Sequence, residues 1–96
     1  MKVEEAEKVR ALLEELGEEA LIARLDSFTA LNEGLETKKG EDYIRLSILG
    51  FLEGLLTTLK MKHPENEEVV KLYEEIKAKR AELDKFFRKP AMQNLQ

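Results

Sequence analysis

Ninety-six residues suffice for one domain with a single core, and the absence of cysteine excludes disulfides and thiolate metal sites. Acidic side chains outnumber basic ones by 20 to 16, and a net charge of −4 speaks against unspecific nucleic-acid binding, which needs a cationic face. No apolar run approaches the roughly 18 residues of a membrane span, and the acidic start at Met1–Glu5 has no apolar signal region, so a soluble cytoplasmic protein is expected.

The first helix is predicted over about residues 2–16. Ala6, Val9, Leu12, Leu13 and Leu16 share one side, and Glu4–Lys8 is a favourable i,i+4 pair. Gly17 suits a left-handed position just past that helix, and Glu18 and Glu19 suit the start of another. A break or a sharp kink is expected there, because Leu13 and Leu16 do not continue in phase into Leu21 and Leu25. The second helix, about 19–37, should bury Leu21, Leu25, Phe28, Leu31 and Leu35, with Arg24 and Asn32 at the margins. Gly34 weakens its last turn, and residues 36–41 form the connection, turning at Gly40.

The third helix, about 42–62, is the stretch around which the chain is organised. At about 100° per residue, Ile44, Ile48, Leu49, Phe51, Leu52, Leu55, Leu56 and Leu59 fall within one arc of roughly 160°, interrupted only by Arg45. One neighbouring helix cannot cover so wide an arc; two or three can. Pro64 forces a stop, with Asn66 or His63 as candidate caps for the next helix. The fourth helix, about 66–88, carries a narrower stripe of Val69, Leu72, Tyr73, Ile76, Leu83 and Phe87, with Arg80 inserted. Pro90 should end it and leave a flexible tail, 90–96. The expected fold is therefore all-α: a compact, up-down four-helix bundle in one domain, 1–89, open to assembly as a dimer.

Little here carries chemistry. His63 is the only histidine, without a partnered nucleophile or acid at a recognisable spacing, and Lys60 stands where a di-iron bundle motif needs glutamate. The knot Glu14, Glu15, Glu18 and Glu19 reads as a solvated face rather than a cation site. No enzyme, cofactor, metal or small-molecule substrate is expected. A pocket between helices, lined by Arg24, Asn32, Tyr43, Arg45 or Tyr73, ranks last among the readings. Gly50 and Gly54, with Ser47 and Thr57, form a small-residue face on the third helix. Each mid-helix glycine costs about 1 kcal/mol relative to alanine, which suggests close approach of another helix. That helix belongs either to the same chain or to a second copy crossing about a two-fold axis. The partners expected are another copy or another protein.

Two resemblances add to this reading. The excess of Glu and Lys over Asn and Gln, with 38% of residues charged, resembles the small uncharacterised helical proteins of hyperthermophilic archaea, whose surfaces carry ion-pair networks. The segment Arg80-Ala81-Glu82-Leu83-Asp84-Lys85-Phe86-Phe87 resembles the motif by which replication and repair proteins bind sliding clamps. There a glutamine is followed three positions later by Leu, Ile or Met, and then by two aromatics. Leu83, Phe86 and Phe87 match the apolar plug, and Arg80 stands in place of the glutamine. Clamp binding is what this resemblance implies; the same residues also continue the amphipathic stripe.

Overall fold

The computed structural model describes residues 2–33, 35 and 40–94, with residues 88–94 described as backbone alone. Among the described residues four helices follow one another: α1 (Glu4–Glu15), α2 (Glu19–Asn32), α3 (Glu41–Lys62) and α4 (Glu67–Asn94). Among the described residues there is no strand, and no helix is long and apolar enough to cross a membrane.

Cross-helix pairs give the directions. Arg10 meets Asp26 at 2.9 Å, folding α1 and α2 into an antiparallel hairpin. Glu5 meets Arg45 and Glu18 meets Lys62, so α1 and α3 run in parallel. Arg80 meets Glu53, and the Lys60 ammonium lies 4.1 Å above the Tyr73 ring, so α3 and α4 are antiparallel. The result is the expected up-down-up-down bundle, 48 × 29 × 17 Å in extent.

Gly17 breaks the first two helices apart instead of kinking one long helix. With φ at 71° it takes the left-handed conformation that a side chain would strain. Its N–H donates to the Glu14 carbonyl, and the Glu18 N–H donates to the Leu13 carbonyl, a pairing that closes the end of α1 in a Schellman turn. The Glu18 carboxylate then accepts from Lys62 Nζ at 2.6 Å and lies 2.8 Å from His63 Nε2. His63 thus belongs to a clasp between the α1–α2 turn and the end of α3. Asn66, not His63, caps α4: its Oδ1 accepts from the N–H groups of Glu68 and Val69.

The core is built on α3. Ile44, Ile48, Leu49, Leu52, Leu55, Leu56 and Leu59 are all buried, against Val9, Leu12 and Leu13 of α1, Leu21 and Leu25 of α2, and Val69 and Ile76 of α4. Phe51, at the edge of the arc, stacks flat on Phe28 with ring centroids 4.1 Å apart and closes the seam with α2.

Four expectations need correction. Leu31, expected to be buried, is 76% exposed in the last turn of α2, on the rim of a shallow hollow that it shares with Phe28 and Phe51. α2 stops at Asn32 rather than Thr37: Glu33 is extended, and the Asn32 amide donates to the Phe28 carbonyl, offering the backbone an alternative to continuing. Gly34 and residues 36–39 of the expected connection lie outside the described residues. The backbone of α4 continues through Pro90 to Asn94. Proline removes one N–H and crowds the carbonyl four residues back, which bends a helix without obliging it to end. Phe87, placed in the buried stripe by its spacing, is 37% exposed.

Candidate functional site

Three charged residues interrupt apolar stripes, and the structure shows what each is for. Glu5 continues the Val9–Leu12–Leu13 side of α1 and is 1% exposed. Its carboxylate accepts from Lys79 Nζ at 2.8 Å and from an Arg45 guanidinium nitrogen at 3.1 Å. One buried acid thereby joins α1, α3 and α4. Burial acts to raise the Glu5 pKa, but the Lys79 hydrogen bond, the backbone and the nearby Arg45 outweigh it and hold it below the usual carboxylate range. Lys79 is raised in turn, chiefly by its hydrogen bond to Glu5 and against its own desolvation. The third interruption, Arg80, donates to Glu53 at 2.8 Å across the α3–α4 seam.

Arg45 and Lys79, the two cations that hold Glu5, border a cleft of about 420 Å³ together with Asp42, Glu82, Leu83 and Phe86. The cleft exists because α4 outlasts its cover. α1 meets α4 at Lys8–Glu75 and Glu5–Lys79, and its first helical residue, Glu4, already lies at that level. Past Lys79 the apolar stripe of α4 emerges from beneath α1. Leu83 still packs on the core, whereas Phe86 is 63% exposed. Phe86 and Phe87 form an edge-to-face pair, ring centroids 5.7 Å apart. The structure thus brings Leu83, Phe86 and Phe87 together as one ridge on α4, with Leu83 and Phe86 forming the apolar wall of the cleft.

The other predicted face is divided. A Cβ added at Gly50 would meet Arg80 Nε at 3.5 Å, so at this point the close neighbour is α4 of the same chain. At Gly54 the same construction meets nothing within 4 Å. Ser47 is half-buried and Thr57 exposed, its hydroxyl donating to the Glu53 carbonyl. Of the residues named for a pocket between helices, Arg45 does line the cleft, Tyr73 is covered by Lys60 and the Asn32 amide is spent on its own helix. Glu14 and Glu18 of the carboxylate knot pair with Arg10 and with Lys62 and His63. No cluster of three metal-ligating side chains occurs among the described residues.

Sequence reasoning missed the buried Glu5. The signal was present: Glu5, Arg45 and Arg80 are the charged residues that fall inside apolar stripes, and treating such interruptions as potential partners pairs Glu5 with Arg45. As a chemical arrangement, the cleft offers an apolar wall beside two cations already neutralised in part by Glu5. That suits binding of a side chain that is apolar with a polar edge.

No curated protein matches this sequence. The chain is similar to a solved structure described as the crystal structure of a singleton protein from P. furiosus, a hyperthermophilic archaeon. Identity is 43% over 86% of this chain and 90% of that one, with a TM-score of 0.78. That likeness agrees with the archaeal style of the composition. A family model described as "Protein of unknown function (DUF3216)" matches residues 6–96, and the chain belongs to that family.

Proposed function

We propose that this protein is a cytoplasmic, non-catalytic interaction module that associates with itself and docks a protein partner on the ridge of Leu83, Phe86 and Phe87. The carrying observation is the exposed aromatic pair, with Phe86 63% exposed on a chain whose surface is otherwise crowded with charge. Aromatic anchors beside a pocket are the features that dominate protein–protein recognition. The test is cross-linking and capture from the source cell's extract with wild type and with Phe86→Ala/Phe87→Ala. A partner held by wild type and lost by the variant supports the reading; identical capture profiles overturn it. Light scattering over a concentration series tests self-association separately.

A second reading is favoured by the same exposure: the ridge is a sliding-clamp plug, as the likeness of residues 80–87 to that motif implies. Arg80, at the glutamine position, is engaged with Glu53 at 2.8 Å, so the plug would act through its apolar residues alone. Binding to a purified sliding clamp, lost in the double alanine variant, tests it; no binding by wild type removes it.

A further inference from the structure

α1 leaves part of one side of α4 without a neighbour. At about 100° per residue, Glu75, Lys79, Glu82 and Phe86 fall within about 60° of one another on α4. Glu75 and Lys79 meet Lys8 and Glu5 of α1. Glu82 and Phe86 continue that side past the start of α1 at Glu4. From Lys79 to Asn94 the helix runs on for about 22 Å at 1.5 Å per residue. The cleft walled by Leu83 and Phe86 thus stands where α1, prolonged, would lie, and a helix is what fits it.

Charge narrows the choice of helix. Around the cleft, Arg45 and Lys79 are engaged by Glu5, whereas the exposed carboxylates of Asp42 and Glu82 meet no cation among the described residues. A helix seated there should bring positive charge beside apolar side chains. The end of α4 is such a helix. Residues 80–89 hold four basic and two acidic side chains, which leaves twelve basic and eighteen acidic for the remainder of the chain. Within that positive end Phe86 and Phe87 are exposed, and Lys85 is exposed and meets no acid among the described residues.

Resting on the reading that the ridge of Leu83, Phe86 and Phe87 is a docking surface, we infer that its occupant is the same ridge of a second copy. The two α4 ends lie antiparallel about a two-fold axis passing between Asp84 and Lys85, each taking for the other the place that α1 leaves open. Phe86 of one copy is then level with Leu83 of the other, so an aromatic ring meets the apolar wall of each cleft. Glu82 of one copy lies within about 3 Å, measured along the helix, of the level of Lys85 of the other. The positive end of each copy thereby covers the acidic mouth of its twin, whereas most other faces of two net-negative molecules repel. A protein partner of another kind would have to displace this pairing to reach the ridge.

The test is a reciprocal charge reversal read by light scattering over a concentration series. Wild type should scatter as twice 11.1 kDa. Phe86→Ala, at an exposed position, should keep full helix content and weaken association at least about tenfold. Glu82→Lys and Lys85→Glu should each weaken it by a similar factor, because each sets like charges together twice. An equimolar mixture of these two variants should dimerise as wild type does, since the mixed pair restores both opposite-charge contacts. A dimeric wild type left unchanged by Phe86→Ala overturns the ridge as its interface, and a mixture that stays monomeric overturns the antiparallel register. A wild type that stays monomeric up to about 1 mM overturns the pairing altogether. The docking reading itself fails on a different result, capture of other proteins that does not depend on Phe86 and Phe87.

Discussion

Glu5 gives the sharpest test of how the bundle is held. Glu5→Gln keeps the volume and one carbonyl acceptor but removes the charge that Lys79 and Arg45 share. Two charge-assisted hydrogen bonds to a buried acid would contribute about 1.5–3 kcal/mol each if both donors were dry. The Lys79 and Arg45 side chains are 42% and 37% exposed, so water replaces much of what they lose. Discounted in that way, the cost is about 1–2 kcal/mol in total, a fall of roughly 5–15 °C in Tm for a domain of this size. The pH dependence fixes the cause. The folded-state pKa of Glu5 lies below its ordinary value of 4.5, so the stability it contributes is complete above about pH 4.5 and is lost as pH falls through the folded value. Urea titrations of wild type and variant from about pH 7 into acid should therefore show a gap at neutral pH that narrows as pH falls below about 4.5. A variant as stable as wild type at neutral pH, or a gap unchanged in acid, would refute the assignment of a charged Glu5 to this junction.

Leu52, fully buried at the centre of α3, should cost about 2–5 kcal/mol when replaced by alanine, read as a shift of the denaturation midpoint with the slope unchanged. Asn66→Ala removes the acceptor for two N–H groups at the start of α4 and should cost about 1 kcal/mol by the same titration. Gly17→Ala meets no steric neighbour, so any loss reports backbone conformation alone; about 1–2 kcal/mol is expected from the left-handed φ, and a neutral result would mean that the turn rearranges freely.

The parts of the fold governed by local pattern were legible in the sequence. The wide arc of α3 named seven of its buried residues and Phe51 at the edge, Gly17 announced the left-handed turn, and Asn66 was among the expected caps. What escaped were properties set by relative length. Leu31 and Phe87 occupy correct stripe positions near the ends of their helices, yet both are exposed, and periodicity carries no information on how far along a helix its cover extends. The ridge of Leu83, Phe86 and Phe87 was visible as a motif, but its exposure follows from α1 starting at the level of Lys79. The cleft itself was not visible, because it depends on how Asp42 and Arg45 of α3 lie against Lys79, Glu82 and Phe86 of α4.

The up-down course has a kinetic consequence. Each helix turns back on its immediate successor, α1 on α2 and α3 on α4, so most native pairing closes short loops, and chains of this topology fold in microseconds to milliseconds. Several ion pairs of α1 reach much further, to α3 and α4, and the longest among the described residues is the grip of Glu5 on Lys79, 74 residues away along the chain. If that grip closes after the folding barrier, as its loop length favours, weakening it should quicken unfolding while leaving the folding rate almost untouched, and a slowed folding rate in Glu5→Gln would count against that order.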